Sequence, residues 1–412
     1  MLKVANLYIL QKKTVATWSF YVGILMAFFG SLNPWFMWSI SNYYHLLVAV
    51  IMTFSLMISR TMRRGVYNNP YFLLPIFAFF LLYYYQTIVR DGNFNGYITG
   101  IFQVVVFYAI LRVDDDLFSG VMEVISKVMG WLLLFSITAY LLFLFGFPLP
   151  SVNAEFTGTT YSYTNYFFFL LDDRILEFIT FARFHSVFLE PAHLGSATVF
   201  LLMTQFGKWK RWYNIVMIVA TLLTFSLTAY VMLVAVIFLS LWIQGKALIR
   251  KVLITLSFLA AITAGAFFYN GGDNLVHDLI LIRMEIEDEE LAGDNRVTDN
   301  FKAEYEQYIQ TSDVFIGRGE YKDEDFGNSG FRVYIYQYGL IGLFLLVLFY
   351  ALSYMHSKDW RAMVESAIIA ILFFVVQAFS LWYCVFIPLY YMTKVKSVRN
   401  TSQIENIQEE GI

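Results

Sequence analysis

Charged residues are scarce in this chain of 412 residues, because Asp, Glu, Lys and Arg make up only 14% of it. Soluble domains carry about 25% charged residues. Here 59% of the residues are hydrophobic and 19% are aromatic. Apolar runs near the length that crosses a bilayer recur from end to end, and no soluble domain is appended. The composition therefore indicates an integral membrane protein.

Cysteine is almost absent as well. The one cysteine, Cys384, lies in an apolar segment and excludes an internal disulfide framework. No His/Cys cluster has the spacing of a zinc site and no acidic run has that of a calcium loop, so we expect no metal and no other cofactor. The first apolar run follows Lys3, Lys12 and Lys13 and lacks a small-residue cleavage site after it. This pattern is typical of a retained anchor rather than a signal peptide.

Ionisable side chains are rare inside the apolar runs. The exceptions are His45 and His193 near the ends of their runs and Glu365 close to one face. Ion-driven transporters place charges at membrane depth and often consist of repeated halves. No internal repeat is visible, so the sequence counts against transport.

Hydropathy predicts an all-α polytopic protein in which residues 1–412 form one integral membrane domain with about 12 transmembrane helices. These lie roughly at 15–31, 43–59, 70–89, 97–111, 127–146, 191–206, 212–226, 228–243, 252–269, 333–355, 362–378 and 380–393. Of the 28 basic residues, 19 lie in the loops and termini on one side. Because basic loops stay in the cytoplasm, we expect both termini to be cytoplasmic.

This orientation predicts two long external loops, at 147–190 and 270–332. The second half of the first loop, 166–181, mixes apolar and charged residues and is predicted to be a helix lying at the membrane interface. In the second loop, the acidic run at 285–290 is interpreted as a solvated face. A helix is predicted at 295–310, with Phe301, Tyr305 and Tyr308 on one face that rests on the membrane or over a cavity.

The stretch RFHSVFLEPAHLG, which begins at Arg183, joins the first external loop to an apolar helix. Pro191 suits the first helical position, which places Glu190 at the N-cap, where the helix dipole favours a carboxylate. The stretch also holds His185 and His193, so carboxylate, imidazole and guanidinium groups meet at one helix mouth. Taken singly, these residues also suit a cap, interfacial histidines and a snorkelling anchor.

Arginines of the second external loop are the other candidates. Arg296, Arg318 and Arg332 lie on a side that is acidic overall, and a planar guanidinium binds two phosphate oxygens at once. Arg296 has the alternative of pairing with the acidic run. Arg318 has the alternative of a solvated turn between Gly317 and Gly319, whose backbone N–H groups would also suit an anion.

Two sets of residues resemble the bacterial O-antigen and exopolysaccharide polymerases of the Wzy type. The first is the pattern R-x-x-S-x-F-x-E-P-x-x-x-G, here Arg183, Ser186, Phe188, Glu190, Pro191 and Gly195. The second is GRG at 317–319, NSGF at 328–331 and YGLIG at 338–342. The arrangement of many spans with two long outer loops is similar too. The family has a similar arginine-to-glycine spacing in both outer loops. This chain approximates that spacing from Arg183 to Gly195 but does not keep it after Arg296.

The resemblance implies a glycosyltransferase of GT-C-like architecture in the bacterial cytoplasmic (inner) membrane, with its active site facing the periplasm or exterior. Such an enzyme polymerises undecaprenyl-pyrophosphate-linked oligosaccharide repeat units for O-antigen, capsule or exopolysaccharide, without a nucleotide or other cofactor. Glu190 is then the expected base with His193 as second choice, and Arg183, Arg296, Arg318 and Arg332 bind pyrophosphate or glycan. The implied partners are the lipid-linked substrate, the bilayer, a chain-length regulator and a flippase, with no nucleic acid.

Two alternatives stay open. An O-antigen ligase shares the architecture and the donor but transfers the glycan to lipid A core in lipopolysaccharide synthesis. A flippase for lipid-linked repeat units is a more distant alternative, because the apolar runs lack the charged residues that it needs.

Overall fold

The computed structural model describes residues 2–58, 73–90, 94–156, 162–172, 183–244, 298–319, 330–355, 359–378 and 381–394, with single residues and short pieces between them. The described part is mostly helical. The helices are, in chain order, α1 (Leu2–Gly30), α2 (Ser41–Ile58), α3 (Leu73–Val89), α4 (Phe94–Arg112), α5 (Asp115–Leu144), α6 (Pro191–Thr204), α7 (Trp212–Leu223), α8 (Leu227–Gln244), α9 (Asp299–Tyr308), α10 (Phe331–Tyr354), α11 (Trp360–Val376) and α12 (Tyr383–Lys394).

Eleven of the twelve segments predicted from hydropathy coincide with a helix. The ninth, 252–269, lies largely outside the described residues. Three described helices are long and apolar enough to cross a membrane, namely Phe94–Arg112, Asp115–Leu144 and Phe331–Tyr354, and several shorter helices are apolar as well. The chain is thus consistent with a membrane-embedded helical protein, while the count of twelve spans and their orientation stay predictions.

Two short helices form the centre of the bundle. In α6, 13 of 14 residues are buried, and in α12, 10 of 12 are buried, including Cys384. Helices α1, α5, α7, α8 and α11 pack around this pair. A helix that is apolar on every face is stable only when other helices surround it, and the apolar sequences of α6 and α12 meet this condition.

The helices around the Glu190 end of α6 have unequal lengths. At 1.5 Å per residue, α6 is about 21 Å long and α7 about 18 Å, whereas the 30 residues of α5 extend about 45 Å. The N–H of Phe184 donates to the last carbonyl of α7, at Leu223, and the Phe184 ring lies 5.2 Å from Tyr140, one turn before α5 ends. The segment that leads into α6 therefore packs beside the end of α5.

A small antiparallel sheet lies against the same end of α5, where Phe169 contacts Tyr140 and Phe143. It consists of β1 (Val152–Glu155), β2 (Ser162–Asn165) and β3 (Leu170–Asp172), in the order β1-β2-β3. The sheet corrects the prediction of an interfacial helix at 166–181, because residues 166–172 form a tight loop and a strand; 173–182 lie outside the described residues. In this strand the N–H of Leu170 donates a backbone hydrogen bond to the segment before α6. The contact joins distant parts of the chain, so the local pattern of apolar residues does not reveal it.

The helix predicted at 295–310 is observed as α9, whose N-cap Thr298 accepts a hydrogen bond from the N–H of Phe301. Its shared face does not rest on membrane, since Phe301 and Tyr308 are buried against Val333 and Tyr336 at the start of α10. Helix α10 itself is broken at Gly339, which has φ of +62°. A second pair of strands, β4 (Ile286–Glu287) and β5 (Glu290–Leu291), pairs antiparallel at the acidic run.

Candidate functional site

The segment from Arg183 to Glu190 is fixed by backbone hydrogen bonds from three directions. The N–H of Leu170 in β3 donates to the Ser186 carbonyl at 2.8 Å, and the N–H of Trp35, after α1, donates to Val187 at 3.0 Å. The Tyr163 hydroxyl donates to the Leu189 carbonyl at 3.1 Å. The segment preceding Glu190 is therefore a firmly held part of the fold.

Glu190 and His193 form the centre of the candidate site. Glu190 is the N-cap of α6 and Pro191 is its first residue, as predicted. The Glu190 carboxylate makes no capping hydrogen bond and lies 3.6 Å from His193 Nε2. The Glu190 side chain is 33% exposed and that of His193 only 6%. The carboxylate is thus accessible while the imidazole behind it is enclosed.

Trp382, just before α12, closes the other side of His193. The two rings meet edge to face with their centres 4.7 Å apart. Because α12 is one of the two central helices, this contact fixes the imidazole against the least mobile part of the bundle. Sequence analysis did not identify Trp382, since it lies nearly two hundred residues from His193 and has no motif around it.

His185 lies beneath the same segment and is fully enclosed. Its Nδ1 is 2.6 Å from the Phe188 carbonyl, which only accepts hydrogen bonds, so Nδ1 carries the proton. Burial lowers the pKa of His185 below its ordinary value of 6.5, while Asp172 and Glu190 oppose that effect. His185 is therefore neutral at pH 7, with Nε2 as an unprotonated, buried nitrogen that lacks a hydrogen-bond partner among the described residues.

Asp172 was not a predicted site residue, yet β3 brings it to this cluster. It is the last residue of the strand, it is buried, and it acts electrostatically on His185. In the sequence it stands in the run that resembled an interfacial helix. The chain therefore offers a second carboxylate near Glu190 that only the strand pairing reveals.

Arg183 lies at the opposite end of the held segment. Its Nε donates to the Thr224 carbonyl at 3.1 Å, between α7 and α8. The charge of Arg183 acts on His185 in the same segment. Of the six predicted site residues, the structure brings Glu190 and His193 together and places Arg183 at the other end of the held segment.

Arg318 lies in a second cluster, built on α9 and α10. Its Nε donates to Asp313 at 3.0 Å and its Nη1 to Glu304, and the guanidinium lies over the rings of Tyr308 and Tyr336 at 5.3 and 5.7 Å. The hydrogen bond with the Tyr336 hydroxyl, and then Asp313 and Glu304, raise the pKa of Arg318 above its ordinary value. Its charge is therefore compensated inside the protein, and its predicted role on the substrate stays a prediction.

The glycines around Arg318 hold a loop against the break in α10. The N–H of Arg318 donates to Tyr336 at 2.8 Å, that of Gly319 to Gln337 at 3.0 Å, and that of Gly317 to Asp313 at 2.7 Å. A Cβ on Gly317 would lie 2.3 Å from the Gln337 carbonyl oxygen. The glycines of the GRG and YG patterns thus allow the loop and α10 to approach each other closely. The N–H groups of 317–319 already donate to protein oxygens and do not form an anion site.

The remaining predicted residues are separate from Glu190 in different ways. Arg332 lies in the first turn of α10, near its neighbour Phe331 and close enough to Tyr305 to act on it electrostatically. Arg296 lies outside the described residues. Arg90, at the end of α3, was not predicted and lies 3.4 Å from the Tyr338 hydroxyl, so it adds a third arginine to the α10 side.

Chemically, the Glu190 cluster can accept and pass on a proton. A carboxylate at a helix N-terminus next to an imidazole is a combination used in general acid–base catalysis. In the described part of the chain, no three His, Cys, Asp or Glu side chains lie close enough together to hold a metal ion. Comparisons with protein-family models, with curated proteins and with solved structures find no match to the chain.

Proposed function

We propose that this chain is a membrane glycosyltransferase that polymerises undecaprenyl-pyrophosphate-linked oligosaccharide repeat units at the outer face of the bacterial cytoplasmic membrane. The observation that carries the proposal is the accessible Glu190 carboxylate at the start of α6, 3.6 Å from the enclosed His193. A site at the mouth of a predicted membrane helix suits a substrate whose carrier stays in the lipid. The resemblance of the segment to the Wzy-type polymerases supports the same assignment.

The reaction needs a proton acceptor and a site for a leaving anion. The acceptor sugar hydroxyl attacks the anomeric carbon of the donor, the bond from that carbon to the pyrophosphate oxygen breaks, and the pyrophosphate leaves with the electron pair. Glu190 takes the proton of the hydroxyl, and His193 behind it stabilises the protonated site. Because pyrophosphate is a good leaving group, one carboxylate is enough and no nucleotide is needed.

Arg183 is the cation that the proposal places on the pyrophosphate. Its Nε is bound to the Thr224 carbonyl, which restricts the orientation of the guanidinium. A guanidinium that is already oriented stabilises developing charge without reorganisation. Arg332 and Arg90 are better placed than Arg318 for the glycan, because Glu304 and Asp313 occupy Arg318.

The proposal includes the topology that such a reaction requires. Twelve spans with cytoplasmic termini place Glu190 and the α9–α10 cluster on the external side, where lipid-linked repeat units become available after a flippase has moved them. A chain-length regulator of the same pathway is a further proposed partner. The acidic balance of the external loops gives soluble polyanions such as nucleic acid no favourable surface.

The test is the glycan profile of cells that carry a deletion of this gene, complemented with the wild type, Glu190→Gln or the control Glu306→Gln. Glu306 is an exposed carboxylate of α9. We expect the deletion and Glu190→Gln to leave a single repeat unit on the acceptor, because loss of a general base lowers rates about 10²- to 10⁴-fold. Wild type and Glu306→Gln restore the ladder.

Two other profiles would refute the proposal. Bare acceptor with accumulated long lipid-linked polymer in the deletion identifies a ligase. A full ladder with Glu190→Gln removes Glu190 from the chemistry. The carboxylate makes no capping hydrogen bond, so the substitution is expected to leave the fold intact, and thermal unfolding in detergent checks this.

A further inference from the structure

The loop between β2 and β3 packs along the C-terminal third of α5. Tyr166 and Phe169 contact Phe143 near the end of that helix, and Phe168 reaches further back. The loop residues Tyr166 to Phe169 carry two exposed rings, Phe167 at 44% and Phe168 at 53%. The ring of Phe168 lies 6.3 Å from that of Phe135. Phe135 stands nine residues before the end of α5, which corresponds to about 13 Å along the helix. Phe168 is thus presented alongside a candidate membrane-spanning helix rather than beyond its end, with Phe167 next to it in the same loop.

The backbone of this loop is held in an unfavourable conformation. Phe167 has φ of +67°, a region that favours glycine and that bulky residues rarely adopt. The Asn165 side chain accepts a hydrogen bond from the Phe167 N–H at 2.7 Å, and the Trp35 indole donates to the Phe167 carbonyl at 3.0 Å. Strain that the surroundings maintain points to a use for the phenylalanine ring at this position.

The loop is mechanically continuous with the candidate site. The first residue of β3, Leu170, bonds to Ser186, and Trp35 bonds both to Phe167 and to Val187. Val187 lies three residues before Glu190. A molecule that contacts the two phenylalanines therefore lies beside the segment that positions the carboxylate.

We propose that Phe167 and Phe168 form the docking surface for the isoprenoid chain of a lipid-linked substrate. The surface is apolar, lies alongside a candidate membrane-spanning helix, and is connected to Glu190 through one short segment. Fluid phospholipid chains need no rigid, strained surface, whereas a substrate chain that must place its phosphate near Arg183 does. This inference rests on the proposed function, because that function supplies the isoprenoid carrier.

Photo-crosslinking tests the docking surface directly. A benzoylphenylalanine replaces Phe168 or, as the control, Phe77, which is 59% exposed on α3. The protein is placed in phosphatidylcholine nanodiscs that contain undecaprenyl phosphate, and the adducts are identified by mass spectrometry. We expect the ratio of undecaprenyl to phosphatidylcholine adducts to be roughly fivefold higher at 168 than at 77, the discrimination expected from burying one or two additional methylene-sized groups. Equal ratios at the two positions would overturn the proposal.

A second variant separates docking from folding. Phe167→Gly relieves the backbone conformation, so the protein is expected to fold, yet it removes a ring from the surface. We expect the selective adduct at 168 to disappear and the glycan ladder to shorten, while Phe77→Ala changes neither. An unchanged adduct and ladder with Phe167→Gly would also overturn the proposal.

The same measurements distinguish this inference from the proposed function. A selective adduct at 168, together with an intact ladder after gene deletion, supports the isoprenoid surface and refutes the polymerase. A ladder that depends on Glu190, together with equal adduct ratios at 168 and 77, supports the polymerase and refutes the docking surface.

Discussion

Gly195 offers a sharp test of how the candidate site is positioned. It lies in the second turn of α6, and a Cβ at this position would be 2.4 Å from the Cβ of Ala229 in α8. The neighbouring Thr224 Oγ1 would be at 3.4 Å, an ordinary contact. Because Ala229 Cβ is attached directly to the backbone, no side-chain rotation relieves the overlap. Gly195→Ala must therefore move α6 away from α8.

The magnitude follows from the size of the overlap. Carbon atoms in contact normally lie about 3.5–4.0 Å apart, so the helices must separate by about 1 Å. Overpacking of this kind costs about 1–3 kcal/mol. Alanine recovers about 1 kcal/mol of that because it favours helix over glycine, which leaves a net destabilisation of about 1 kcal/mol. A shift of about 1 Å between Glu190 and Arg183 is expected to reduce activity about 10²-fold.

The complementary substitution makes the prediction specific. Ala229→Gly removes the methyl group that Gly195→Ala would contact, so the double variant regains the original spacing. In a double-mutant cycle, helix propensities cancel and the coupling equals the relieved overlap, about 2 kcal/mol. The assays are chemical unfolding in detergent and the glycan ladder in cells. Ser196→Ala, which removes an atom from the adjacent buried position, is the control.

A coupling near zero would refute the reasoning, because it would mean that α6 and α8 do not meet at these two residues. A double variant that is stable but still inactive would separate the packing of the helices from the position of the site.

Two further predictions concern other elements of the fold. Burial holds the pKa of His185 in the folded protein below 6.5, so the unfolded chain binds a proton at a higher pH than the folded protein does. The contribution of His185 to the free energy of unfolding should therefore be complete above about pH 6.5 and should decrease as the pH falls below it. Unfolding in detergent as a function of pH measures this, and the step should become smaller in His185→Asn; an equal step in that variant would assign it to another group. Gly317→Ala should destabilise the protein by about 3 kcal/mol, because Gly317 has φ of +92° and its new Cβ would meet the Gln337 carbonyl. The control is Gly146→Ala. Gly146 also has a positive φ, +78°, but a Cβ there would meet no atom within 4 Å, so the substitution should cost only about 1 kcal/mol. Equal destabilisation by the two substitutions would contradict the docking of the loop on α10.

The sequence contained enough information to locate most helices. Apolar runs are local features, so eleven predicted segments coincide with observed helices. The start of α6 was also predictable, because the Glu-Pro pair has a specific meaning at a helix N-terminus and Glu190 is indeed the N-cap. The proximity of Glu190 and His193 follows from the same reading, since residues three apart share a helix face.

The rest depended on contacts between distant parts of the chain. The run that begins at Tyr166 is apolar and charged in a way that suits an interfacial helix, but hydrogen bonds from β3 to Ser186 favour a strand. Asp313 is close to Arg318 in the sequence, but Glu304 is 14 residues away, and only the folding of α9 onto α10 brings it to the guanidinium. Trp382 and Asp172 reach the candidate site in the same non-local way.

The central position of α6 has a consequence for how the protein is assembled. At about 21 Å, this helix is shorter than the hydrocarbon core of about 30 Å, and almost none of its surface faces outward in the final fold. Such a helix gains little by residing alone in lipid, where packing with other helices is its main source of stability. The longer helices α4, α5 and α10 are long and apolar enough to insert on their own, so we expect α6 to join them afterwards. On this expectation the residues around Glu190 come together late in assembly, and partially assembled chains carry no finished site.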